Sequence, residues 1–264
     1  MHNSHHLDQG YGFSGFNLLL VLLLILSLGC YFSAVIKCVL SGKAWPFYRV
    51  VLWILGIVCI FFAVSGPIAN RSHLDFNAHM LVHLLLGMLA PLLLVLAAPM
   101  TLTLKTVNVK LGRRLTKVLR SKFVCFISGP ITSSVMNIGV LWLLYSSTLY
   151  RQMHEIPLLN VVVHVHIFLA GYVFTSSIIY IDPAPHRTSF LYRAMVFATA
   201  LAGHGILAKY IYAHPPAGVP AEQAQGAGML MYYGGDAIDL VLIVIFCYQW
   251  YKASRPVRAW EPYY

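Results

Sequence analysis

Charge is what this sequence has least of. Only 10% of its 264 residues are Asp, Glu, Lys or Arg, against about 25% in an ordinary soluble domain. That scarcity excludes a water-soluble globular enzyme, a disordered chain and a coiled coil. Acidic residues are rarer still, 8 against 18 basic ones. There is no CxxC pair, and the cysteines (Cys30, Cys38, Cys59, Cys125, Cys247) all fall in or at the ends of apolar stretches. This excludes a disulfide framework and a thiolate-rich zinc or iron–sulfur site; the five read as small packing residues. No basic run interleaves with aromatics, so the net charge of +10 does not point to nucleic acid. No internal repeat is found. The first apolar stretch has no basic leader or small-residue cleavage site, so it is expected to stay as a helix rather than be removed as a signal peptide.

What the sequence has instead is apolar surface. Hydrophobic residues make up 59% of the chain and the mean hydropathy is +0.74. Seven apolar segments, at 16–40, 48–66, 78–98, 124–147, 159–181, 191–213 and 229–251, are each long enough to cross a bilayer as a helix. They predict an all-α polytopic membrane protein, a seven-transmembrane-helix bundle over 16–251. A histidine-containing extracytoplasmic tail (1–15) precedes it and a cytoplasmic tail (252–264) follows.

Loop charge sets the expected orientation. Lys37, Lys43, Arg49, Lys105, Lys110, Arg113, Arg114, Lys117, Arg120, Lys122, Arg187, Arg193, Lys252, Arg255 and Arg258 gather at one set of helix ends. Only Arg71, Arg151 and Lys209 lie at the other. The N-terminus is therefore expected outside and the C-terminus in the cytoplasm. The basic 105–122 loop serves as a topology anchor that can also meet anionic lipid.

The twelve histidines follow the opposite bias. Only His186 falls at a cytoplasmic end. His2, His5, His6, His73, His154 and His214 fall in outer loops or tails, and His79, His83, His164, His166 and His204 in the outer halves of helices. Asp236 and Asp239 share that layer. Polar groups there are expensive and face the bundle interior, paired with something. His79 and His83 are spaced i, i+4 and project from one helix face. His164 and His166 are i, i+2 and point about 200° apart, so one at most joins the same centre. Asp236 and Asp239 are i, i+3, so both are expected to face inward, one as a ligand and one orienting an imidazole. A metal ion satisfies such a layer, as does a purely structural network of polar side chains. Imidazole with nearby thioether (Met80, Met153, Met229, Met231) favours copper, and zinc with His and Asp ligands fits as well.

Five stretches resemble one family. Residues 76–99 (FNAHMLVHLLLGMLAPLLLVLAAP) resemble the HMxxHxLLxxxAPxLLxLxxP signature of the CtaG family of cytochrome c oxidase assembly factors. Residues 163–174 (VHVHIFLAGYVF) resemble its HxHFLLAGYLF stretch, and 181–187 (IDPAPHR) the DPxPRR turn. Residues 202–205 (AGHG) stand at its helix 6 histidine, and 222–236 (EQAQGAGMLMYYGGD) resemble the QxxGGxxxWxxGE opening of its last helix. The matches run in order from about residue 70 to 250. Asp236 replaces a glutamate, Tyr232 stands near the family's tryptophan, and TSSIIY at 175–180 lacks the tryptophan-rich ending. The resemblance implies a seven-helix bundle needed to make an active haem–copper oxidase of the caa type, with His79, His83, His164, His166, His204 and Asp236 as the matching polar residues.

The resulting expectation is a non-enzymatic assembly factor of the bacterial cell membrane. It holds copper, as Cu(I) in preference to zinc, at the outer face and supports metallation of a cytochrome c oxidase subunit. His79, His83 and one of His164 or His166 are the expected ligands, with His204 and Asp236 beside them. Two alternatives stand beside it. An intramembrane zinc hydrolase is disfavoured because Met80 occupies the glutamate position of HExxH. A haem carrier would use His83 with His166 or His204 as axial ligands.

Overall fold

A computed structural model describes residues 9–72, 74–184 and 187–255. His2, His5, His6, His73, His186 and the residues after Arg255 lie outside the described residues. Those described are all-helical, 83% helix with no strand.

In chain order the helices are α1 (Gln9–Leu40), α2 (Phe47–Val64), α3 (Pro67–Arg71), α4 (Phe76–Leu84), α5 (Ala90–Leu96), α6 (Pro99–Thr106) and α7 (Val109–Leu119). Then come α8 (Lys122–Ile127), α9 (Pro130–Ser134), α10 (Val140–Ser146), α11 (Leu149–Glu155), α12 (Pro157–Ile178), α13 (Phe190–Ala213) and α14 (Ala221–Ser254). One π turn, Leu85–Leu89, joins α4 to α5, and a second, Val135–Gly139, joins α9 to α10. The backbone of α1 is already helical at Gln9, ahead of the start expected at residue 16.

Among the described residues, six helical stretches are long and apolar enough to cross a membrane: Leu18–Leu40, Phe47–Arg71, Phe76–Thr106, Pro157–Ile178, Phe190–Ala213 and Ala221–Ser254. The expected seventh, 124–147, is broken at Ser128–Gly129, where Pro130 opens a new helix. Pro lacks an amide hydrogen and prefers the first turn. What continues from Pro130 to Ser146, through the π turn, rises roughly 25 Å.

The Phe76–Thr106 stretch is the hub, with 67% of the residues in its apolar 18-residue window buried, whereas for Leu18–Leu40, at the periphery, the share is 6%. Around the hub stand α2, α12 and α14; α13 packs on α14, and α1 on α2 and α6. Four buried apolar clusters fill the described bundle, and the two largest are its main cores. One joins Phe76, Met80, Leu144, Met153, Leu207 and Met231. The other, toward the opposite end, joins Leu92, Phe174, Ile178, Phe197, Leu242 and Phe246.

Small residues set how closely the elements approach. A Cβ at Gly171 would overlap the Gly87 carbonyl oxygen and stand 3.2 Å from Pro91 Cγ. Pro91 has no amide hydrogen to offer the Gly87 carbonyl four residues back, and α12 covers that carbonyl with bare backbone. At the other end of the bundle, Asp182 caps α6. Its carboxylate accepts from Met100 N (3.1 Å), Thr101 N (2.7 Å) and Thr101 Oγ1 (2.6 Å). Asp182 thus ties the segment after α12 to the start of α6.

Candidate metal centre

Between the two cores, α4, α13 and α14 bring His83, His204 and Asp239 to one small cavity of about 20 Å³, which Met88 and Asn137 also line. That is room for about one water or ion. The three residues are 4%, 4% and 7% exposed. The His83 and His204 rings lie 6.3 Å apart, inclined by 26°. Among the described residues, neither nitrogen of His83 has a hydrogen-bond partner, nor does Nε2 of His204. Leaving a buried polar atom unsatisfied costs about 1–3 kcal/mol, so two imidazoles with three such nitrogens, both lining one void, mark a place suited to hold something.

Local backbone chemistry makes room for these rings. A Cβ at Gly235 would stand 2.5 Å from His204 Cε1, and one at Gly87 would press on Ile167 at 2.8 Å and touch the His83 ring at 3.4 Å. The glycines of the GGD sequence and of the first π turn are therefore spacers for imidazole.

A second group lies beside the first. His79 is 3% exposed and its Nε2 meets Tyr145 Oη at 3.2 Å. The His154 and His164 rings each stand 6.1 Å from it, and that of Tyr150 5.0 Å. His154 Nδ1 contacts Tyr150 O at 2.9 Å and His164 Nδ1 contacts Asn160 O at 2.8 Å. A carbonyl only accepts, so each of these contacts puts a proton on Nδ1. The Tyr145 ring lies 6.1 Å from that of His79 and 6.4 Å from that of His83, linking the groups. In α11, burial, with the Asp75 carboxylate adding to it, raises the Tyr150 pKa and keeps the phenol protonated.

The expected single centre is thus two groups. His83 and His204 come together; His79 and His164 come together, joined by His154. His166 points away, and its Nε2 donates to Met136 O in the second π turn at 3.1 Å. Asp236 is exposed on the outer face of α14, and Asp239 takes the inward place. A separation of i, i+3 is about 60° around a helix, enough to put one carboxylate in a narrow cavity and the other outside. Met80, Met153 and Met231 are packed in the first apolar core and Met229 is exposed. The thioether at the cavity is that of Met88. Among the described residues, no three or more His, Cys, Asp or Glu side chains are arranged to enclose a metal ion, so any ion here has few protein donors. Sequence reasoning missed Met88, Asn137, Tyr145 and His154. Helical phase gave no signal for any of them: Met88, five residues after His83, would fall about 140° away in a regular α-helix and is brought round through the π turn, and the others are on separate elements.

An uncharacterized protein of Mycobacterium leprae is 30% identical over 183 residues, 66% of this chain and 28% of that protein. Uncharacterized proteins of Mycobacterium bovis and Mycobacterium tuberculosis are each 30% identical over 153 residues, 55% of this chain and 23% of theirs. The chain spans about a quarter of the length of these relatives. No solved structure matches significantly. The family model described as cytochrome c oxidase caa3 assembly factor matches residues 29–253, and these include every residue of both histidine groups. The chain belongs to the cytochrome c oxidase caa3 assembly factor family.

Proposed function

We propose that this integral membrane protein supports metallation of a haem–copper oxidase subunit by holding one copper ion, as Cu(I), at the His83–His204 cavity. The observation that carries the reading is the set of orphaned, buried imidazole nitrogens around a void of about 20 Å³. Neutral imidazole with thioether is a donor set suited to copper. His83 and His204 would hold the ion, with Met88 and Asp239 beside it. Such an ion supplies no reaction on this chain; it is cargo for the copper centre of an oxidase subunit. Two imidazoles and few further donors suit a carrier that must let go, and they give a hydrolase no general base between its ligands. The cavity is also far too small for a porphyrin, which leaves the haem reading without support.

The arrangement in the membrane follows from charge. Pro130–Ser146 is read as the seventh crossing, which places the N-terminus outside and the basic ends of the helices in the cytoplasm. The cavity then lies in the outer half of the bilayer of a bacterial cell, facing the side on which the acceptor subunit carries its copper. His79, His154 and His164 lie between the cavity and that surface.

The test is Cu(I) loading of detergent-purified protein in reductant, read by metal analysis and X-ray absorption, with a His83→Ala/His204→Ala variant alongside. About one copper per chain in a nitrogen-dominated shell, lost in the variant, is the expected result. Full copper retention by a folded double variant overturns the site, and zinc retained in preference to copper overturns the metal.

A further inference from the structure

The loop expected as a topology anchor contains an ordered helix, α7 (Val109–Leu119). At 100° per residue, Lys110, Arg113, Arg114 and Lys117 fall on one face and Leu111, Leu115, Val118 and Leu119 on the other. None of its residues is buried in the bundle. Val118 is 60% exposed and Leu111 44%. Phe123 and Phe126, in α8, are 72% and 68% exposed. The apolar face is therefore largely open: Leu111 and Val118 are exposed and Leu115 and Leu119 half-buried.

The charge around it has one sign. No Asp or Glu occurs between Asp75 and Glu155. Beside α7, an open recess of about 630 Å³ is lined by Leu104, Val109, Arg113, Thr116, Lys117 and Arg120. Three cations and a hydroxyl thus flank two apolar side chains. Lys43 Nζ donates to Lys105 O at 2.8 Å close by, adding a further cation to this end of the bundle. The helix follows directly on α6, which ends a membrane-crossing stretch. A short helix held at bilayer level, with one basic and one largely open apolar face, has the composition of an interfacial helix.

We propose that α7 lies in the membrane interface and binds anionic lipid headgroups, with a lipid phosphate seated in the Arg113–Lys117–Arg120 recess and the Leu111–Val118 face among the acyl chains. The chemistry is complementary on both sides: phosphate against guanidinium and ammonium, acyl chain against exposed Leu and Val. Bound anionic lipid screens the mutual repulsion of the basic loop and holds α7 flat. This is independent of the copper reading, since α7 contributes nothing to the histidine groups.

The full chain, reconstituted in nanodiscs of phosphatidylcholine with or without phosphatidylglycerol, decides it. The readouts are hydrogen exchange of α7 and the preference of spin-labelled phosphatidylglycerol over spin-labelled phosphatidylcholine for the protein boundary. Wild type is expected to show α7 amides protected more in phosphatidylglycerol discs, and a several-fold lipid preference that high salt abolishes. R113Q/K117Q/R120Q should bring that preference toward unity with exchange elsewhere unchanged. L111N/V118N should lose α7 protection in both lipids. Equal protection and equal preference in the two lipids for wild type, as expected if α7 instead meets an acidic protein segment or only water, overturns the proposal. Loss of protection across the whole bundle in the charge variant would make these residues structural and overturns it too.

Discussion

At the residue scale, the cavity places two demands in conflict. His83 is held without a hydrogen bond on either ring nitrogen, which stability alone would not select. We therefore expect His83→Leu to stabilise the metal-free chain by about 1 kcal/mol, measured by thermal unfolding in detergent, while abolishing copper retention. Destabilisation with copper retained would mean that the ring serves packing. The two carboxylates give a second contrast. Asp239→Asn should weaken Cu(I) retention under competition with a chelator, whereas Asp236→Asn, on the outer face of α14, should leave it unchanged. Equal effects would show that Asp236 turns inward when metal binds. Part of this was legible in the sequence. The opposed directions of His164 and His166 follow from their two-residue spacing, and the structure separates them as expected. The choice between Asp236 and Asp239 was not legible, because 60° of helical phase decides nothing until the neighbouring helices are in place.

At the element scale, backbone contact and one cap hold the hub. Because a Cβ at Gly171 meets the Gly87 carbonyl and Pro91, Gly171→Ala should cost about 1–3 kcal/mol, the usual range for overpacking, and lower the thermal midpoint accordingly. An unchanged midpoint would show that α12 can slide aside. Asp182→Ala removes three acceptor contacts from the start of α6 and should cost about 1–2 kcal/mol. Asp182→Asn should recover part of this, since its carbonyl still accepts. Hydropathy marked the long helices because nearly every residue in them is apolar. It could not mark the π turns, which depend on where Pro91 and the neighbouring backbone meet, nor the break before Pro130, where an apolar run continues across Ser128–Gly129.

At the scale of the whole molecule, the number of crossings and the sidedness of the site are one question. With Pro130–Ser146 as a crossing, a fluorescent protein fused after Arg255 should mature in the cytoplasm, and alkaline phosphatase fused after Ser147 should be active outside. Activity of the phosphatase after Arg255 instead would give six crossings and turn the last three helices over. Whichever count holds, the enclosure of His83 and His204 has a kinetic consequence for the copper carriage proposed above. Both are 4% exposed, so an ion cannot reach them by diffusion through a standing channel. Loading and release must wait for the helices to part, a motion of the microsecond-to-millisecond class. Both rates are reduced by the fraction of time the bundle stands open, while the equilibrium affinity is not. Dwell time in the cavity, rather than the strength of a closed shell of ligands, then governs delivery, and a partner subunit that holds α4 and α14 apart would quicken the exchange in both directions.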